Sequence, residues 1–201
     1  INAALGAAAK PSEGRPLLAS VLIVSTGDTL KFITTNSYRA NRVTLNLLDP
    51  MDEFSITTDA GGFKAAMPKP SVFKSTGVDR LQIGWFPGAK ELDAGQLHIC
   101  WGNEQRIVLA DPNEQGSRTG QYPNVEQLID GAIADTVVTS DPVCYNPAFL
   151  ADIAKEAKLI NKDRFVKVQP SSTALKPAMF STVNPDEGVR YEGLLMPVRE
   201  S

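Results

Sequence analysis

The chain has 201 residues, 42% of them apolar and 21% charged, with 20 basic against 23 acidic side chains and a formal charge of −3. That length makes one large or two small domains, with enough interior to need no disulfide or metal. The charge excludes attachment to nucleic acid by bulk electrostatics, but leaves room for one basic face on an acidic body. No run approaches the ~18–20 apolar residues of a membrane span, and Ile1–Lys10 lacks the basic flank and apolar stretch of a secretory signal. A cytoplasmic protein is expected.

In chain order, Ile1–Lys10 reads as a short helix stopped by Pro11, Gly14 and Pro16. Leu17–Val24 and Thr29–Thr34 read as strands joined at Gly27-Asp28, a hairpin signal. Arg42–Leu48 alternates, with Val43, Leu45 and Leu47 on one side and Arg42, Thr44 and Asn46 on the other, which predicts a half-buried strand. Phe54–Thr57 is a further short strand. Asp59 caps a helix carrying Phe63, Ala66 and Met67, which Pro68 and Pro70 stop. Strands follow at Arg80–Phe86, Gln96–Trp101 and Arg106–Leu109, and then a polar, turn-rich stretch from Asp111 to Pro123.

Val125, Leu128, Ile129, Ala132 and Ile133 recur at helical spacing, with Gly131 as a weak point. Thr136–Thr139 reads as a brief strand. Asn146 as N-cap and Pro147 at the first position open the clearest helix, which runs to about Leu159 with Phe149, Leu150, Ile153, Ala154 and Ala157 as its buried stripe. Strands at Arg164–Gln169, Pro177–Thr182 and Glu192–Val198 close the chain. A helix followed by strands thus appears three times, which predicts an α+β architecture of antiparallel sheets backed by helices.

Catalytic signatures are lacking. Gly84–Lys90 has three residues between its glycines rather than four and no hydroxyl residue after the lysine, so it is no phosphate loop. A Ser-His-Asp triad would have to use His98, the single histidine, which sits in a strand-like run and reads as a packed or rim residue. His98 and Cys100 point to one side of that strand, but with Cys144 they supply only three ligands, and a structural zinc site needs four. Neither a metal nor another cofactor is expected, and both cysteines read as reduced thiols. The basic residues say more. Lys155, Lys158 and Lys162 share one face of the best helix, and Lys64, Lys69 and Lys74 cluster on and after the second. Such faces are either simply solvated or make non-specific contact with phosphates.

Several short motifs, in this order, resemble the bacterial DNA polymerase III beta subunit, the DNA sliding clamp. Arg15-Pro16-Leu17-Leu18-Ala19-Ser20-Val21-Leu22-Ile23 is similar to that family's first strand after a helix. Leu30–Ala40 is similar to its segment ending in a Thr-Asp-Gly-His-Arg-Leu motif. Ser117-Arg118 and Gly120-Gln121-Tyr122-Pro123-Asn124 resemble the stretch between its middle and last domains. Tyr145–Leu150 resembles a helix start in the last domain. Lys176-Pro177-Ala178-Met179 and Leu194-Leu195-Met196-Pro197-Val198-Arg199 resemble the family's ending.

The resemblance implies a clamp fold and no enzymatic activity. It implies a processivity factor in DNA replication that holds a polymerase or other partners by a peptide with Leu and Phe anchors, and that encircles duplex DNA non-specifically as a homo-oligomer. Carried over by position, the peptide pocket comprises Thr35, Ser37, Tyr38, Arg39 and Ala40, then Leu194, Leu195, Met196, Pro197, Val198 and Arg199, with Leu128 or Ile129 nearby. A pliant methionine beside aliphatic walls suits a pocket that accepts many peptides. Tyr38 stands where the family has His, and Ala40 where it has Leu. Lys64, Lys69, Lys155, Lys158 and Lys162 would face DNA. Residues 1–122 match the family's middle domain and 123–201 an abbreviated last domain, with no counterpart of the first domain and about twenty residues where the last domain's first half would be. Two readings follow: a compact ring of several short chains, of phage or mobile-element type, or a clamp-like module that recruits or sequesters clamp-binding proteins without encircling DNA.

Overall fold

A computed structural model describes residues 1–69, 71–72, 80–135, 143–161, 165–170, 173 and 175–198. Its centre is one antiparallel sheet. The strands are β1 (Ser20–Ser25), β2 (Thr29–Thr35), β3 (Arg39–Asn46), β4 (Phe54–Asp59), β5 (Gln82–Phe86), β6 (Gly95–Trp101), β7 (Glu104–Pro112), β8 (Lys167–Gln169), β9 (Ala178–Asn184) and β10 (Val189–Leu195). Their spatial order is β5-β6-β7-β4-β1-β2-β3-β10-β9-β8. The α+β reading holds, and the strands expected from the sequence are present apart from Thr136–Thr139, which lies outside the described residues. The β1–β2 turn is built as expected, with Gly27 at φ +86° supplying the left-handed residue.

The last strand, β10, pairs with β3 over seven positions, from Val189↔Leu45 to Leu195↔Arg39, so the end of the chain continues the sheet begun near its start. Alternation along the strands then gives the sheet two covered faces. One face presents Val21, Ile23, Phe32, Val43, Tyr191 and Leu195 to α1 (Asn2–Leu5), α2 (Ala60–Ala66) and the long helix α4 (Pro147–Ile160). The opposite face presents Leu22, Ile33, Ala40, Met179 and Leu194 to Tyr122 and to α3 (Val125–Ala134).

Each longer helix starts where its cap chemistry dictates. The Asp59, Asn124 and Asn146 side chains accept from the backbone N–H groups of Gly62, Gln127 and Ala148. Replacing Asn146 by Ala removes the cap of the helix that carries the lysine face. The expected loss is about 1 kcal/mol, a melting decrease of about 2–4 °C measurable by thermal circular dichroism.

Two expectations need correction. Arg42 was expected on a solvated side, but α3 covers that side and Arg42 is buried, bonded to Glu192 Oε2 at 2.7 Å and to Asp130 Oδ1 at 2.8 Å. In α4, Ala154 is exposed, while Glu156 joins Ile153 and Ala157 in the interior. The helix is rolled so that Glu156 reaches Arg39 on β3.

Candidate partner-binding groove and helix face

The turn between β2 and β3 organises the first cluster of site residues. Ser37 takes φ +75° and is the one non-glycine residue with positive φ among the described residues. Asn36 Oδ1 accepts from the N–H groups of Tyr38 and Arg39, both at 3.0 Å, and so substitutes for a glycine turn. Thr35 Oγ1 donates to the Arg39 carbonyl at 2.9 Å and closes the same turn. The Thr35 N–H donates to the Tyr122 hydroxyl at 3.1 Å. Burial raises the Tyr122 pKa, against a smaller opposing effect of that bond, so the phenol stays protonated.

Strand alternation separates the neighbours Arg39 and Ala40. Ala40 lies in the α3 face, directly opposite Leu194, which in turn pairs with Met179 on β9. These three form an apolar row under α3. Arg39 points the other way, beneath α1 and α4, and is only 6% exposed. Its Nη1 donates to Glu156 Oε1 at 2.7 Å, its Nη2 bonds the Gly6 carbonyl, and Asp152 Oδ2 stands 3.6 Å away. Asn41 and Tyr191 complete the cluster by donating to Glu156 Oε2 at 2.8 and 3.0 Å. The Arg39 side chain is therefore a core member rather than part of a surface pocket.

Leu194 is buried in the α3 face and Leu195 in the opposite one. Beyond β10, Met196 is 38% exposed, and its N–H donates to the Tyr38 carbonyl at 2.9 Å. Pro197 is half-buried and Val198 exposed, its N–H donating to the Cys144 carbonyl at 2.8 Å. Tyr38 is exposed and stacks on Phe149 of α4, with ring centres 6.1 Å apart. Arg199 lies outside the described residues.

On α3, Val125 and Ile129 are buried against the sheet, whereas Leu128 is 62% exposed. An open groove of about 480 Å³ runs along the Leu128 flank, lined by Leu128, Gly131 and Ala132 of the helix and by Pro177 and Met179 of β9 and its approach. Gln169 of β8 donates to the Ala132 and Asp135 carbonyls, and Lys176 Nζ pairs with Asp135 Oδ2 at 2.8 Å, so the groove is closed at the helix C-terminus. The opposite flank of α3 carries charge instead. Lys31 Nζ meets Glu126 Oε1 at 2.9 Å, and Arg42 bridges Asp130 and Glu192. Burial works against the Arg42 charge, but hydrogen bonds to Glu192 and Asp130 outweigh it and raise the guanidinium pKa.

The expected lysine face is present in part. Lys64 on α2, Lys69 just beyond it, and Lys155 and Lys158 on α4 are all exposed. The two helices pack on one face of the sheet. Lys155 pairs with Asp152 at 3.5 Å; Lys162 and Lys74 lie outside the described residues. His98 bonds Gln96 and Gln105 and packs 4.4 Å from the Phe86 ring. Among the described residues there is no cluster of three or more His, Cys, Asp or Glu able to hold a metal, and no helix long and apolar enough to cross a membrane.

Among the described residues the sheet has helices massed on one face and a single helix on the other, and this is the fold of the bacterial DNA sliding clamps. The beta subunit of DNA polymerase from Streptococcus pyogenes superposes on 98% of the chain with a TM-score of 0.64 at 17% identity. The DNA polymerase III beta subunit of Thermotoga maritima superposes on 98% with a TM-score of 0.62 at 12% identity. The DNA polymerase sliding clamp of Pseudomonas aeruginosa covers 100% with a TM-score of 0.59 at 13% identity. The chain spans 62%, 61% and 61% of those three chains, in that order. No protein-family model matches the sequence, and neither does any curated protein.

Proposed function

We propose that the chain is a sliding-clamp protein of the processivity-factor type, without enzymatic activity. It binds a polymerase or other partner through a peptide with Leu and Phe anchors and encircles duplex DNA as a homo-oligomer in the cytoplasm. The observation that carries the proposal is the groove beside α3, with exposed Leu128 at its edge and Met179 and Pro177 lining the sheet side. An apolar side chain entering it removes that leucine from water, while the groove is ready-made and costs little to organise. Of the pocket residues implied by the resemblance, Ala40, Leu128, Ile129 and Leu194 share the α3 face, Met196 follows that strand, and Thr35, Ser37 and Tyr38 act through the turn that sets its register. The division into residues 1–122 and 123–201 is part of this reading, the two parts meeting where β3 pairs with β10. Fluorescence anisotropy with a labelled Leu/Phe-anchored peptide tests it: saturable binding is expected, and its absence counts against a partner groove.

DNA contact belongs to the face covered by α2 and α4. Lys64, Lys69, Lys155 and Lys158 would lie along the duplex, each contributing a phosphate contact that high salt weakens. Changing both Lys155 and Lys158 to Glu is expected to abolish salt-sensitive retention on closed circular DNA while leaving peptide affinity unchanged. Retention equal to wild type would rule out this face as the ring lumen. A non-encircling, partner-recruiting module is the second reading, favoured by the charge of −3 and by the pairing of Lys155 with Asp152. Light scattering over a concentration series separates the two: a discrete oligomer that persists on dilution supports the ring, and a monomer throughout supports the module.

A further inference from the structure

The groove has one wall that the sheet does not make, and the position of that wall is set from its far side. Helix α3 has ten residues, short enough to be marginal on its own, and Gly131 weakens its interior further. Only Val125 and Ile129 are buried along it. On the groove flank its ties lie at the C-terminal end, through Gln169 and Lys176. On the other flank Glu126 and Asp130, one turn apart, would repel each other if left alone. They are instead taken up by Lys31 of β2 and Arg42 of β3. Arg42 is a fixed point, because Glu192 on the neighbouring strand holds its Nε at 2.7 Å in a buried site.

We infer that this ionic ladder sets the width of the groove, so that Arg42 and Asp130 are positioning residues for a peptide that neither one touches. The inference rests on the peptide-binding reading above. Residues 126 and 130 lie on the flank of the helix roughly opposite 128, 131 and 135, since each residue advances the helix by about 100°. A small roll or slide of α3 away from Arg42 therefore moves Leu128 and Ala132 over Met179 and changes the space offered to an anchor side chain. The sheet side of the groove stays where strand pairing puts it.

The Asp130 side chain is 63% exposed, so changing it leaves no buried group behind on the helix. Asp130→Asn is expected to weaken binding of the labelled Leu/Phe-anchored peptide about tenfold, the scale of one hydrogen bond to a charged group. It should also speed amide exchange across 125–134 while β1 and β2 keep their protection. Asp130→Glu, which retains the carboxylate, should restore both affinity and protection. Unchanged peptide affinity in Asp130→Asn overturns this inference alone, whether or not exchange accelerates. A tenfold loss that Asp130→Glu fails to rescue also overturns it, since the charge would then not be the cause. Absence of binding by the wild-type protein overturns the peptide reading and this inference with it.

Discussion

Changing Glu156 to alanine is expected to destabilise the protein by about 3–5 kcal/mol, because it strands a buried guanidinium. At this chain length that is a fall in melting temperature of roughly 6–20 °C. The Glu156 carboxylate receives Arg39, Asn41 and Tyr191 at 2.7, 2.8 and 3.0 Å. It thereby ties α4 to β3 and β10 where the two ends of the chain meet. Without it, Arg39 keeps the Gly6 carbonyl and Asp152 at 3.6 Å, too little to replace a carboxylate in contact. Burial first, and then the neighbouring carboxylate, raise the Tyr191 pKa, so its hydroxyl remains a donor and is left with Asn41 Oδ1 at 3.1 Å as its acceptor.

The pair is more costly to break than to delete, so a combined Arg39→Met and Glu156→Leu variant should recover much of the loss. Gly6 supplies a second check. A Cβ there would stand 1.8 Å from Glu156 Oε1, so Gly6→Ala should destabilise the wild type and be better tolerated once Glu156 is alanine. Urea unfolding of the four proteins measures the coupling. An alanine variant melting within about 2 °C of wild type would show that the cluster does not hold α4 in place.

Arg39, Arg42 and Glu156 also mark the limit of what a single sequence discloses. Local chemistry was legible: the Gly27 turn and the Asp59 and Asn146 caps read correctly, because each depends on residues within a few positions. The covering of both sheet faces was not legible. Arg42 looks solvated in its own strand, and only a helix some eighty residues later buries it. The apolar count placed Ala154 in the α4 stripe, but the partner that rolls the helix toward Glu156 is Arg39, 117 positions away. The groove was partly legible through the resemblance of its motifs. Resemblance named Arg39 and Ala40 together as pocket residues, and strand alternation sends them to opposite faces. Met179, which lines the groove, stood in the Lys176–Met179 motif without being assigned to the pocket, and Ala132 stood only in the apolar spacing of α3.

The same geometry identifies the substitution that should injure binding most while sparing the fold. Leu128→Asp is expected to weaken the Leu/Phe-anchored peptide about 30- to 1000-fold, the range of an interface hot spot. Leu128 is 62% exposed, so the free protein gains little from it and its melting temperature should barely move. In the complex it would be covered, and burying a leucine is worth about 1.5–3 kcal/mol. An aspartate there forfeits that gain and adds the cost of dehydrating a carboxylate against Met179 and Pro177. Met196→Asp should act in the same direction, since its bond to the Tyr38 carbonyl is made by the backbone N–H and survives the change. Lys176→Ala, at the closed end of the groove, removes an exposed ion pair and should cost far less. This ordering separates an apolar anchor site from a charged one. If Lys176→Ala proved the more damaging, the peptide would be held by its charge, and the leucine beside α3 would be no more than exposed surface.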